Sequence, residues 1–586
     1  MRSGQAQAKG TGMVIRMETE KIQEMSRQRA RALTEYLCFG KEALREEEGA
    51  EGEGFPGRRA AFFRWFTEEK YSWYAALVLE ECRRLFREEE ACASFAQELE
   101  AGSLMVLGML YRRSGRRKDY LNLCRQTAKQ FEREAEEGAL SSSREECVLF
   151  ARMSAFAGDA SFFGEGSWKE AGRYYELYFL YGGKKESIRR KYRKCLEEGY
   201  RPKFRKIRNG YVVGKAVSGS GENEKYFVGR ERLIEEYYRR LIEEHAGMLV
   251  FYGQYRVGKT SVLINLKARL ERRECGREMM AHVSMEDYET ESAFYEGVMK
   301  DISSRRNRKY RDFLRGLSGE VTKVPKEPDF EAFREFLEKM GEVFQAFYGN
   351  PFRLILFIDE FIAAVEKPGI DDSSFLRKLK GLVDRDMLQL VITGSESLGE
   401  YISRGGGKNL LPDKLPYLPR EAVIRLLEEP IRKIDGSSRY EKEPQVLSGV
   451  YELTKGNPIL TQAIAYSLVN KLNERGQEDV TGELLAEVVD EIVRENHNTW
   501  RARFSPLMNC ETAKGRWEEA DVTELCKGLE RAKEEGDDAL EAFLQGLSEK
   551  EREVYTALKE RDVIKLDEKM LPYVEVSLFG KWCRYE

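Results

Sequence analysis

The run 248–266 reads MLVFYGQYRVGKTSVLINL. Its first five residues are apolar or aromatic, the pattern of a short buried strand. Val262, Leu263, Ile264 and Leu266, at its far end, follow a helical pattern. Between them lies 253–261, GQYRVGKTS, a loop punctuated by Gly253 and Gly258. Strand, glycine-bounded loop and helix form the setting of a phosphate-binding loop. Backbone N–H groups of such a loop, with those of the helix N-terminus behind it, converge on an anion. The two glycines permit turns that a side chain blocks. Lys259 has the reach for β- and γ-phosphates, and the Thr260 hydroxyl is a ligand for Mg²⁺. The whole loop (Gly253, Gln254, Tyr255, Arg256, Val257, Gly258, Lys259, Thr260, Ser261) is therefore expected to hold nucleotide phosphates.

A second buried-strand pattern, 352–361, reads FRLILFIDEF and ends in an acid pair, Asp359 and Glu360. In an open α/β sheet, ligand chemistry sits at the C-terminal ends of strands. Asp359 is expected to hold Mg²⁺ opposite Thr260, and Glu360 to polarise an attacking water. One carboxylate suffices, because Mg²⁺ takes phosphates and waters as its remaining ligands. The plainer reading is an acidic strand end that caps the next helix. A third buried strand, 388–395 (LQLVITGS), ends in Thr393 and Ser395. The chemistry these residues can support is phosphoryl transfer from ATP to water, with Lys259 and Glu360 as the catalytic pair.

These are Walker A and Walker B patterns. Upstream, 227–231 reads FVGRE; downstream, 453–462 reads LTKGNPILTQ. Taken in this order, the motifs resemble the STAND class of signal-transduction ATPases and the related origin-recognition-like branch of AAA+ proteins. The resemblance spans 227–472. It implies that Phe227, Val228, Gly229 and Arg230 line the base side of the nucleotide. It also implies that Pro458 lies against base or sugar at the start of a lid helix. Thr393 and Ser395 would be sensor-like, near the γ-phosphate or the attacking water. Arg230, Arg256 and Arg385 are the candidates for an arginine finger, each with a structural reading beside it. Without a finger in cis, turnover is expected to be slow, which suits a switch better than a motor. Two alternatives stand beside this reading: a DNA-binding AAA+ protein related to origin-recognition factors, and a scaffold that binds ATP without significant turnover.

The fold class that follows is α/β: a P-loop parallel sheet core with a helical N-terminal domain, a helical lid and a C-terminal winged-helix-like module. The expected boundaries are 1–16 without structure, 17–213 helical, 214–224 a Gly- and Ser-bearing linker, 225–417 the ATPase core, 418–495 the lid and 496–586 the C-terminal module. Met13 or Met17 as the start would leave 1–16 outside the fold. Within the N-terminal domain, segments around Gly115 and Gly158 loosely resemble tetratricopeptide-like repeats, and an irregular helical bundle reads equally well. At the C-terminus, Ser548 and Glu551 make a capping box. The alternation of Val574, Val576 and Leu578 with Glu575 and Ser577 then suggests a strand.

The chain has 586 residues, with 98 Lys and Arg against 102 Asp and Glu, so no whole-chain attraction to nucleic acid follows. The stretch 184–208 is locally basic, twelve Lys or Arg against three Glu. It reads as a solvated helix and linker or, less favourably, as a phosphate-contacting surface. Acidic neighbours (Glu518, Glu519, Asp521) favour a C-terminal module that packs on the ATPase core over one that binds DNA. Ten cysteines without a C-x-x-C pair and only three histidines fit a reducing cytoplasm rather than a zinc site or disulfide framework. His282 reads as a core or surface imidazole. No apolar stretch reaches membrane-spanning length. The expected partners are the nucleotide, a protein bound through the N-terminal helices, and further copies of the chain, with DNA less favoured and no membrane.

Overall fold

A computed structural model describes residues 23–34, 62–66, 72–88, 96–136, 144–165, 167–272, 278–303, 323–349, 352–365, 367–370, 372–402, 412–494, 497–508, 511–512 and 515–585. The segment 1–16 lies outside them. By its contacts the chain divides into two compact units, 1–203 with 434–437, and 204–433 with 438–586.

The first unit is helical. Helices Ser72–Glu88, Ala96–Arg113, Arg117–Glu136, Arg144–Ala160, Trp168–Leu180 and Glu186–Glu197 each pack on their successor. Their shared core holds Leu79, Leu107, Leu110, Tyr174, Tyr175 and Tyr178. The two glycines that suggested a repeat are not equivalent. Gly115 turns the chain after a helix with φ +70°. Gly158 sits inside Arg144–Ala160, where an added Cβ would lie 2.5 Å from the Tyr175 ring. In the basic stretch, Tyr192 is buried. The Tyr200 hydroxyl donates to Glu176. These rings are packing residues of the helix pair rather than a stacking platform.

The second unit is built on a five-stranded sheet of order β2-β3-β4-β1-β5. Its strands are β1 (Met248–Tyr252), β2 (Glu278–Ser284), β3 (Arg353–Asp359), β4 (Leu388–Gly394) and β5 (Asp413–Lys414), and every pairing is parallel. Alternate residues face opposite layers, as strand geometry requires. Leu354, Leu356, Ile358, Leu390 and Ile392 join a core with Phe294, Phe333 and Phe375. Ile355, Phe357, Val391, Leu249 and Phe251 join another with Tyr237, Leu263 and Leu266. Because β4 lies between β3 and β1, the ends of all three strands converge on one edge.

Beyond the sheet come helices Arg420–Glu428, Gln445–Thr454, Pro458–Arg475 and Gly482–Arg494, then His497–Met508. Helices Glu519–Glu535, Asp537–Gly546 and Glu549–Glu560 follow, with an antiparallel pair, Ile564–Leu566 and Pro572–Val574, and a last helix, Ser577–Tyr585. One apolar core runs through all of this, from Val423 and Leu460 to Phe504, Leu525 and Trp582. The capping box at Ser548 and Glu551 is formed. The strand expected over 574–578 stops at Val574. Leu578, Phe579, Trp582 and Cys583 are buried at helical spacing on Ser577–Tyr585, and burying that face outweighs the short alternation.

The stretch 214–224 differs from the expected flexible linker. The compact units part between 203 and 204, and 214–224 packs inside the second. The Val217 N–H donates to Ser261 Oγ at 3.0 Å, and the Asn265 side-chain amide donates to the Val217 carbonyl at 2.9 Å. Gly and Ser composition signals backbone freedom, but side chains of the helix Lys259–Glu271 satisfy that backbone here. Six cysteines among the described residues (Cys82, Cys124, Cys147, Cys195, Cys526, Cys583) are free thiols. Among the described residues, no helix is long and apolar enough to cross a membrane.

Gly456 joins the core to the lid at close quarters. It has φ +79°, and a Cβ there would lie 2.0 Å from the Leu418 carbonyl oxygen. Gly456→Ala should therefore destabilise this unit by about 2 kcal/mol or more, read as a lower urea midpoint at unchanged slope.

Candidate functional site

β1 delivers the loop. The Gly253 N–H donates to the Gly394 carbonyl at 3.3 Å, which fixes the loop's first residue to the end of β4. Gly258 turns with φ +101° into the helix Lys259–Glu271. Arg256 is also left-handed, at φ +65°, an unusual position for a residue with a side chain.

The loop borders a cavity of about 600 Å³. Tyr255, Arg256, Gly258, Lys259, Thr260 and Ser261 line one side, and Asp359 and Glu360 another. Pro458, Ile459 and Gln462, at the start of the lid helix Pro458–Arg475, close it from above. Asn457 caps that helix by accepting from the Leu460 N–H, and Pro458 takes the first position, where a missing N–H costs nothing.

Asp359, 5% exposed, is the hub. Its Oδ2 accepts from the Thr260 hydroxyl at 2.6 Å. Its Oδ1 accepts from the Thr393 hydroxyl and from the Glu360 N–H, the latter at 3.1 Å. Thr260 and Asp359 thus present adjacent hard oxygens to the cavity, the donor pair Mg²⁺ takes together with phosphates and waters. No cluster of three or more His, Cys, Asp or Glu among the described residues could hold a metal by itself. The Thr260 and Asp359 oxygens fit a cation that takes its remaining ligands from a polyphosphate and water.

Lys259, 3% exposed, donates to the Gly253 and Gln254 carbonyls at 3.3 and 3.2 Å and pairs with Glu360 Oε1 at 3.6 Å. An ammonium buried at that depth has to be compensated, and the loop's own carbonyls and Glu360 do so. Glu360 is held at φ +48°. Burial pushes its carboxyl above the ordinary value against the pull of Lys259, and the charges of Asp359 and Glu286 push the same way.

Other expected site residues lie elsewhere. Val257 is buried, and Gln254 turns away to donate to the Arg561 carbonyl at 2.9 Å while accepting from the Tyr417 hydroxyl. Phe227, Val228, Gly229 and Arg230 are not among the cavity's lining residues. They form a packing joint: a Cβ on Gly229 would meet Ala422 at 2.4 Å, and the Arg230 guanidinium donates to the Pro416 carbonyl. Burial pushes that guanidinium down to about 10, still charged at neutral pH. Thr393 is spent on Asp359, and Ser395 sits at the start of the short helix Glu396–Tyr401 without a side-chain cap bond. Arg385 precedes β4, at the sheet edge opposite the loop.

The cavity is lined as well by Val212, Gly214, Lys215, Ala216 and Val217, of which the sequence presents 214–217 only as linker composition. His282 and Ser284 of β2 also face it. Burial and the charge of Lys267 push the His282 imidazole below its ordinary value. A lone histidine in a strand pattern carries no signal of such a position.

Residues 241–402 match the family model of the AAA domain. No curated protein matches the chain. Among solved structures, similarity extends to a Walker-type ATPase of Pyrococcus abyssi, 13% identical with a TM-score of 0.40 over 64% of this chain and 99% of that one. It extends also to the ORC2 protein of Aeropyrum pernix, 12% identical with a TM-score of 0.38 over 65% and 98%. The RuvB Holliday junction branch migration motor of Thermotoga maritima is 11% identical with a TM-score of 0.30 over 59% and 91%. With the loop, the acid pair and strands β1 to β4 inside the family match, 241–402 carries an AAA-type P-loop ATPase domain.

Lys259→Ala should weaken ATP binding at least about tenfold, the size of one lost charge-assisted contact, by titration calorimetry. Full affinity in that variant would remove the phosphate role of the loop.

Proposed function

We propose that the chain is an ATP-dependent switch of the STAND type that binds ATP with Mg²⁺, hydrolyses it slowly and couples nucleotide state to a signalling or regulatory output. The observation that carries this reading is the wiring of the phosphate loop to the C-terminal part of its own unit. Gln254 donates to the Arg561 carbonyl at 2.9 Å, and Arg256 donates to the Ala502 carbonyl at 3.0 Å. Around them, Arg561 pairs with Glu396 at 3.0 Å and Lys414 with Asp562 at 2.7 Å. A loop that rearranges around phosphates must therefore strain or release contacts with helix His497–Met508 and the segment before the terminal hairpin. That is the kind of bistable contact a switch requires.

In this reading Lys259 leaves the loop carbonyls and Glu360 for the β- and γ-phosphates. Thr260 and Asp359 would hold Mg²⁺, which would neutralise phosphate charge, and Thr393 keeps the Asp359 carboxylate oriented. Glu360, released from Lys259, orients the water. Arg256 is the one arginine lining the cavity among the described residues, and it already holds a carbonyl of the C-terminal helix. Slow turnover fits a site without a free transition-state arginine. The helical N-terminal unit then serves as the surface for a protein partner, and self-association in the ATP state is the output to look for, by native mass with and without ATP.

Glu360→Gln should still bind ATP but slow single-turnover hydrolysis at least about a hundredfold, as loss of a water-orienting base does. Unchanged hydrolysis would move that role to another group. A DNA affinity that collapses steeply with added salt would favour the origin-recognition-like alternative over a signalling switch.

A further inference from the structure

One polar side chain of the phosphate cavity is buried, fixed in orientation and only half used. Gln462, 6% exposed, lines the cavity from the lid helix Pro458–Arg475. Its Oε1 accepts from the Val212 N–H at 2.8 Å. A backbone N–H can only donate, so the amide oxygen must face Val212 and the amide nitrogen must face elsewhere. That Nε2 has no hydrogen-bond partner among the described residues. A nearly buried donor without an acceptor is costly, and a molecule in the cavity is what would supply one.

The amide is barred from turning over, because the backbone it serves is pinned. Asn473, on the same helix, exchanges two hydrogen bonds with Ile207, at 2.7 and 2.9 Å. The Asn209 side chain donates to Asn470 Oδ1 at 2.8 Å. At the other end of this stretch, Val217 is tied to Ser261 and Asn265. A turned amide would set its NH₂ against the Val212 N–H, donor to donor. Gln462 therefore offers the cavity a donor and not an acceptor.

We propose that Gln462 selects adenine over guanine in this site, donating its Nε2–H to the N1 ring nitrogen of adenine and opposing the N1–H of guanine. The proposal rests on the phosphate loop holding the nucleotide, as argued above. With the phosphates on the loop and their far end at Asp359 and Glu360, the nucleoside takes the rest of the cavity. Val212, Ala216, Val217, Pro458 and Ile459 give it apolar walls there, which suit the faces of a base. Val217 lies at the loop, bonded to Ser261, and Val212 lies at the lid helix, bonded to Gln462. Gln462 therefore meets the edge of the base remote from the phosphates. In adenine that edge carries N1 as an acceptor; in guanine N1 carries a hydrogen and is a donor. A free amide would rotate to accept from guanine. This one is held by Val212, so the lock supplies the discrimination as much as the bond does.

The test is calorimetric titration of the full chain, with Mg²⁺ present, using ADP, GDP and the 1-deaza analogue of ADP, in which a C–H replaces N1. Wild type should bind ADP about tenfold more tightly than either of the others, the size of one hydrogen bond made to a nearly buried donor. Gln462→Met should lower ADP affinity to that of the deaza analogue and leave GDP nearly unchanged. Gln462→Glu keeps an acceptor for the Val212 N–H and turns a second acceptor to the base, so it should reverse the preference toward GDP. The deaza comparison is made on unaltered protein, so a variant that folds poorly does not imitate its result. Equal wild-type affinity for ADP and the deaza analogue, or an equal loss of ADP and GDP in both variants, overturns the proposal. A wild type that binds none of the three overturns the phosphate-loop reading, and this proposal with it.

Discussion

A carboxylate 5% exposed that accepts three hydrogen bonds, Asp359, is the point on which the functional edge of the sheet depends. Leaving such a group unpaired in the interior costs several kcal/mol, on the order of a broken buried ion pair. Its partners come from three places in the chain: Thr260 from the helix after the loop, Thr393 from β4, and the N–H of Glu360 next door. The strand order makes this meeting possible, since β4 separates β3 from β1 and all run parallel. One side chain thus ties the phosphate loop, the acid pair and the neighbouring strand into a single rigid edge, and holds the hydroxyl and carboxylate oxygens where a phosphate-borne cation would find them.

Lys259 shows the complementary constraint. In a site open on one side, its ammonium is compensated from within by two carbonyls and by Glu360. Lys259 and Glu360 therefore hold each other in this structure, and on the proposed reading a bound phosphate would separate them. Burial of Glu360 raises the cost of leaving it charged and alone. On the proposed reading, nucleotide binding and release of Glu360 from Lys259 are the same event.

Around this edge, contact distance does the work that composition suggested other residues would do. Gly229 and Gly456 let the chain touch Ala422 and the Leu418 carbonyl so closely that no side chain fits. The FVGRE box is consequently a packing joint between core and lid, and Val212, Ala216 and Val217 line the cavity. Those residues are held there by Ser261, Asn265 and the Gln462 side chain, which accepts the Val212 N–H at 2.8 Å.

The sequence by itself determined the parallel sheet, the phosphate loop, the acid pair and the helix start at Pro458. Each of these is written in contiguous residues: an apolar run, two glycines at fixed spacing, a carboxylate at a strand end, a proline after an N-cap asparagine. Local geometry follows from local residues, so these are legible in one dimension. Tertiary structure alone decided that Thr393 would hold Asp359, that Val212 and the residues from Gly214 to Val217 would line the cavity, and that Arg256 would reach the Ala502 carbonyl. Those pairs are far apart in the chain. Nothing in the periodicity of either partner specifies the other, because hydrogen bonds and charge contacts across a fold depend on which surfaces the sheet order and the lid bring together.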